Sequence, residues 1–138
     1  MTAPPLRVAL VAASVGGIVG AVARWGLTDR FPAGHGFPVA VFWINVTGSA
    51  LLAVLPALAV VRRTPWLAVF LGTGVLGGFT TMSAASEQTV ALLEHDETGT
   101  AVAYAGGTLL AALMAVWLVD RWTTPDARAV LERDGADE

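Results

Sequence analysis

The chain has no cysteine and no lysine: its eight basic residues are all arginine. Without thiols, neither a disulfide framework nor a thiolate metal site can form. Charge of either sign is scarce, 14% of 138 residues against 55% hydrophobic, and the formal net charge is -3. A soluble domain of this length needs more charge to cover its surface. A nucleic-acid partner is excluded by the want of a basic face. Histidine is limited to His35 and His95, both in predicted loops, and no convergent acids or imidazoles lie within the apolar runs. No catalytic residues are therefore expected, and an enzyme is the least favoured class.

Apolar length dominates instead, with a mean hydropathy of +0.66. Four apolar runs cover residues 6–23, 39–61, 66–93 and 100–119. Each is near the roughly 20 residues with which a helix crosses about 30 Å of hydrocarbon. The expected architecture is all-α and integral to the membrane, one four-helix domain over residues 1–138. Trp66, Trp117 and Trp122 fall near span ends, where amphipathic rings favour the headgroup layer. Arg7 ahead of the first run, closing on Ala21-Val22-Ala23, also has the form of a signal peptide. The small-residue face of Gly16, Gly17 and Gly20, with three spans to follow, favours a retained helix.

The connections leave no room for soluble domains. Residues 24–38 carry Pro32, Gly34, Gly36 and Pro38; Arg62-Arg63-Thr64-Pro65 is a tight turn and residues 94–99 another. The polar tail 123–138 reads as a short cytosolic helix with Thr124 as N-cap and Pro125 at its first position, fraying over 135–138. With four spans both termini share a side. That side holds Arg7, Arg62, Arg63, Arg121, Arg128 and Arg133; the other holds Arg24 and Arg30. Six against two places the termini in the cytoplasm, in a multi-pass protein of the inner or plasma membrane.

The third run is interrupted by Gly77-Gly78-Phe79-Thr80-Thr81. Such a stretch weakens a helix where lipid offers the backbone no partner. Freed carbonyls there ligate a hard cation, freed amides favour an anion, and a packing notch is the plainer reading. The segment from Gly74 to Ser83, with Gly77-Gly78-Phe79-Thr80-Thr81-Met82 at its centre, resembles the third-helix signature of the Fluc-type (CrcB) fluoride channels, Gly-x-x-Gly-Gly-x-Thr-Thr-Phe-Ser. The run from Gly16 to Trp25 is similar to the family's Gly-Gly-x-x-Gly-Ala-x-x-Arg-Tyr, and Asn45-Val46-Thr47-Gly48-Ser49 to its Asn-x-x-Gly-Ser. Three motifs in order span nearly the whole chain.

The resemblance implies an antiparallel dimer with two fluoride pores and a structural, untransported sodium ion at its centre. Gly77 and Thr80 match the positions whose carbonyls hold that ion. Asn45 matches the pore asparagine, although a lone amide in a span also serves to bond a neighbouring helix. Ser83, Tyr104 and Thr108 match polar positions along the pore; Tyr104 and Thr108, four apart, share a helix face, and Tyr104 also fits an interface anchor. Arg24 matches a vestibule arginine that would draw anions in, or else snorkels at a span end. The family's two pore phenylalanines, whose ring edges are partly positive, are here Met82 and Ala85. Its glutamate is Gln88, with Glu87 beside it, and its Gly-Thr before the asparagine is Ala40-Val41.

The expected function is a fluoride channel subunit that confers fluoride resistance by passive efflux, driven outward by the membrane potential at about 2.3 kcal/mol per 100 mV. One alternative is a non-conducting subunit in a dimer with a second, homologous chain, since the departures fall on conducting positions. A proton-coupled exporter of small cations would need a carboxylate in the first span, which has none, and Glu87 lies about 12 Å from the interruption by helix rise.

Overall fold

The computed structural model describes residues 3–34 and 36–134, and of 124–134 the backbone alone; His35 and the expected frayed end at 135–138 lie outside the described residues. Four helices are long and apolar enough to cross a membrane: Leu6–Arg30, Val39–Ala57, Pro65–Glu94 and Thr98–Thr123.

Helix α1 spans Leu6–Arg30, well beyond the apolar run that stops at Ala23. A charge such as Arg24 ends an apolar run without ending the hydrogen-bond ladder. The ladder stops at Phe31, which precedes Pro32 and sits outside the helical region at φ -128°, ψ 69°. Helix α2 starts after Pro38, runs Val39–Val54 and tightens into a 3-10 turn over Leu55–Ala57. The expected continuation to Val61 fails at Leu58, which is extended (ψ 115°) just after Pro56. The carbonyls of Pro56 and Ala57 accept from Arg62 Nη1 at 3.3 and 3.2 Å, so the arginine that turns the chain also closes the helix end. Short helix α3, Ala59–Arg63, completes the turn.

Helix α4 covers residues 65–79 and changes pitch twice: α over Pro65–Ala68, π over Val69–Leu76, and α again over Gly77–Phe79. Thr80 and Thr81 are extended, with ψ of 152° and 119°, and helix α5 takes up again over Met82–Glu94. After the turn at Asp96 (φ 61°), helix α6 runs Thr98–Asp134. Its backbone stays helical through Thr124 and Pro125, so the tail extends the fourth helix and does not start one of its own.

Glycines bring α1 and α4 together backbone to backbone. A methyl added at Gly16 would stand 2.9 Å from the Gly74 Cα, one at Gly20 2.8 Å from the Phe79 nitrogen, and one at Gly78 2.5 Å from the Gly17 oxygen. Such approach lets dispersion and dipoles hold helices where the surrounding lipid is as apolar as leucine. On the other flank α2 lies against α6. There Tyr104, fully buried, packs with Leu92 and Ala101 and meets Phe37 edge-on at 5.3 Å. The apolar surface otherwise points outward, as a lipid-facing chain requires: Trp25, Trp66, Trp117 and Trp122 are all exposed. Arg7 and Trp66 border one groove at one end of the bundle, and the 33–38 and 95–97 connections border another at the opposite end.

Candidate functional site

Two polar groups organise the interruption between α4 and α5. In an unbroken helix the Thr81 N–H would donate to the Gly77 carbonyl. It donates to Asn45 Oδ1 instead, at 2.8 Å, and Asn45 Nδ2 donates to the Thr81 carbonyl at 3.0 Å. One α2 side chain thus takes both backbone groups of a residue that left its own helix, which meets the demand for satisfied polar groups in lipid. Thr81 also caps α5, its Oγ1 accepting from the Ala84 N–H at 3.2 Å. Thr80 stays tied to α4, its N–H and its Oγ1 both donating to the Leu76 carbonyl at 2.9 Å. Gly48 completes the seat, since any side chain there would collide with the Thr80 methyl and come within 3.3 Å of the Phe79 ring.

The consequence is a pair of carbonyls without their usual helical partners. Gly77 has lost the Thr81 N–H, and the extended Thr80 turns its carbonyl out of the helical direction. Both residues border an open cavity of about 710 Å³, together with Asn45, Met82, Ala85 and Thr108. Six of the nine sequence-predicted positions therefore share one cavity. Among the described residues no cluster of three His, Asp or Glu could hold a metal. Any cation held at this site would rest on neutral oxygens.

Three predicted positions lie elsewhere. The Ser83 hydroxyl pairs with Thr81 Oγ1 at 3.2 Å, within the cap of α5. Tyr104, in the apolar packing below, donates to Gln88 Oε1 at 2.7 Å. Gln88 is thus the acceptor of a buried phenol, a role that its substitution for a glutamate did not suggest. Arg24 is half-buried on α1, with its Nε enclosed and, among the described residues, without a hydrogen-bond partner. Tyr104 and Thr108 do share a helix face, but only Thr108 reaches the cavity, and its hydroxyl donates to the Tyr104 carbonyl at 2.6 Å.

The cavity also contains Ser49 and Thr81, motif residues to which the resemblance assigns no role, and Ser86 and Thr89, which lie outside the motifs. Helical spacing carries the signal for two of them, because Met82, Ala85, Ser86 and Thr89 follow the i, i+3, i+4, i+7 pattern of one face.

The family model described as CrcB-like protein, Camphor Resistance (CrcB), matches residues 11–119. The chain is 41% identical over 106 residues to the fluoride-specific ion channel FluC of Rhizobium meliloti (strain 1021), covering 74% of this chain and 85% of that one. It is 41% identical over 134 residues to the fluoride-specific ion channel FluC 2 of Nocardia farcinica (strain IFM 10152), covering 91% and 94%. It is 40% identical over 106 residues to the fluoride-specific ion channel FluC of Paracoccus denitrificans (strain Pd 1222), covering 75% and 84%.

Proposed function

The chain belongs to the CrcB family, and from that membership we propose that it is a fluoride channel subunit of the cell membrane, its termini cytoplasmic, acting by passive efflux. The carrying observation is the interruption at Thr80–Thr81, where polar groups meet in one cavity within an otherwise apolar span. Fluoride sheds tightly held water only where donors replace it, and a dry cavity strengthens each such contact. Asn45 supplies one: its Nδ2 gives one hydrogen to Thr81 and keeps a second for the anion. Thr108 offers a proton only if its hydroxyl turns away from the Tyr104 carbonyl. Ser86 and Thr89 extend the polar stripe along α5. No energy source is needed, because a negative interior drives the anion out.

Gly77 and Thr80 are the residues that would hold a structural sodium ion. Two carbonyls are too few for a hard cation. An antiparallel mate presenting the same pair at its own interruption would double the set. The fit rests on the diverted Thr81 N–H, which frees the Gly77 oxygen. The ion would add positive charge at the crossing and fix the two interruptions together.

A second reading, of a subunit that supports a conducting partner without conducting itself, is favoured by Met82 and Ala85. Both border the cavity where the resembling family has aromatic ring edges. The discriminating experiment is fluoride release from liposomes containing the purified protein, followed with a fluoride electrode. Release well above protein-free liposomes, with chloride retained, is the expected result. No release from a correctly assembled protein would end the conduction assignment for this chain alone.

A further inference from the structure

On the far side of α4 from the cavity lies an apolar groove of about 490 Å³ between α1 and the start of the third span. Val8, Val11 and Val15 form one wall and Trp66 and Phe70 the other, with Arg7 at the mouth. The wall from Val8 to Val15 runs roughly 10 Å by helix rise. That reaches over half of one leaflet's hydrocarbon, roughly 15 Å. Arg7 is exposed, and so is Arg63, in the turn leading directly into Trp66. The only acid on the elements that carry them is Asp29, 22 residues from Arg7 at the opposite end of α1: residues 1–28 and 30–86 contain no Asp or Glu. Trp66 beside Phe70 (ring centroids 6.5 Å apart) sets the headgroup depth, since indole rings favour that layer. We infer that this groove is a binding site for one anionic glycerophospholipid, an acyl chain lying along the valines and Phe70 and the phosphate resting on Arg7 and Arg63.

The commitment to an anionic lipid follows from charge complementarity. A zwitterionic headgroup would bring its own cation beside two exposed guanidiniums, whereas an anionic one brings none. The apolar walls select a chain-bearing ligand over a free anion. The inference depends on the span assignment alone and is independent of fluoride conduction.

Native mass spectrometry of the detergent-purified protein tests it, with phosphatidylglycerol or phosphatidylcholine of identical acyl chains added. Each arginine near the surface is expected to contribute about fivefold to retention of the anionic lipid. Wild-type protein should hold phosphatidylglycerol at least tenfold better than phosphatidylcholine. Arg7→Gln, at an exposed position, should lower phosphatidylglycerol retention about fivefold and leave phosphatidylcholine as before. Val11→Trp, which fills the groove with apolar bulk, should lower both. Equal retention of the two lipids by wild type, or full retention by Arg7→Gln, would overturn the assignment. Displacement of the lipid by millimolar inorganic phosphate would overturn it too, by showing an anion site that ignores the acyl chain.

Discussion

In the proposed channel Asn45 would divide one amide between structure and transport. Its oxygen and one amide hydrogen hold Thr81, and the other hydrogen is free for an anion. Asn45→Asp keeps the shape but removes the donor to the Thr81 carbonyl, leaving that buried oxygen unpaired at about 1–3 kcal/mol. As a carboxylate it also repels fluoride, by about 4 kcal/mol at 4 Å in a medium of effective dielectric 20, or roughly a thousandfold in flux. Liposome release should fall by that order while the assembled protein still elutes at its normal size; unchanged flux would leave Asn45 with its structural bond only. Glycine predictions separate just as sharply. Gly20→Ala forces a methyl onto α4 backbone, 2.8 Å from the Phe79 nitrogen, where nothing flexible can yield. Gly17→Ala, on the same helix, meets nothing within 4 Å. Thermal melting should fall markedly for Gly20→Ala, by about 1–3 kcal/mol or more of overpacking, and stay near wild type for Gly17→Ala. Equal melting temperatures would mean that α1 and α4 are not packed as described.

At the scale of the elements, the third span shows what apolar patterning reveals and what it hides. Gly-Gly and Thr-Thr signal a weak helix, and the residues from Thr80 to Thr81 do leave the helical region. The π segment Val69–Leu76 is not legible, because a stretch apolar on every side has no polar face whose drift would betray a changed pitch. Pitch matters here. Phe70, Gly74 and Gly78 are spaced by four, a row that winds around an α-helix by about 40° per step but drifts the other way in a wider π turn. Helix ends escape the sequence for a related reason: hydrophobicity marks where lipid ends, not where hydrogen bonding ends. Hence α1 runs on to Arg30, while the second span breaks early at Leu58, short of Val61. Within the site, types and order of residues are legible, but the bond from Asn45 to Thr81 spans 36 positions and needs the fold. A sodium ion resting on the Gly77 and Thr80 carbonyls predicts that replacing sodium with N-methylglucamine lowers the melting temperature of the assembled protein. Gly77→Ala should keep that dependence, since the ligand is backbone and the added methyl has room, 3.6 Å from the Gly72 oxygen. A melting temperature indifferent to sodium would remove the ion from the proposal.

As a whole molecule the chain is asymmetric in its arginines and leaves Met82 exposed beside an open cavity, and the two properties motivate the prediction of a partner. Six arginines on the expected cytoplasmic side against two on the other predict a single insertion direction. An antiparallel pair of identical chains needs both directions in comparable numbers, which this bias does not provide. Meanwhile Met82 stands 77% exposed beside an open cavity, where Ala85 offers no ring at all. A second, homologous chain with the opposite arginine bias and aromatic residues at these positions would supply both the missing direction and the missing ring edges. The chain is free of cysteine, so direction can be read from single introduced thiols without background. Thr98→Cys, exposed at the start of α6 on the expected outer side, should react with an impermeant maleimide in nearly every copy on intact cells, and Thr64→Cys in almost none. Labelling of each near one half would show dual insertion and remove the need for a partner. The functional counterpart is growth in fluoride of cells lacking fluoride export. Because cells should insert nearly every copy one way, this chain alone should rescue poorly even though its assembled, purified form releases fluoride from liposomes, and co-expression with the oppositely biased homologue should restore growth and yield a one-to-one complex. Full rescue by this chain alone, purified as a stable dimer of identical subunits, would show that Met82 and Ala85 suffice at the pore and that the arginine count does not decide its topology.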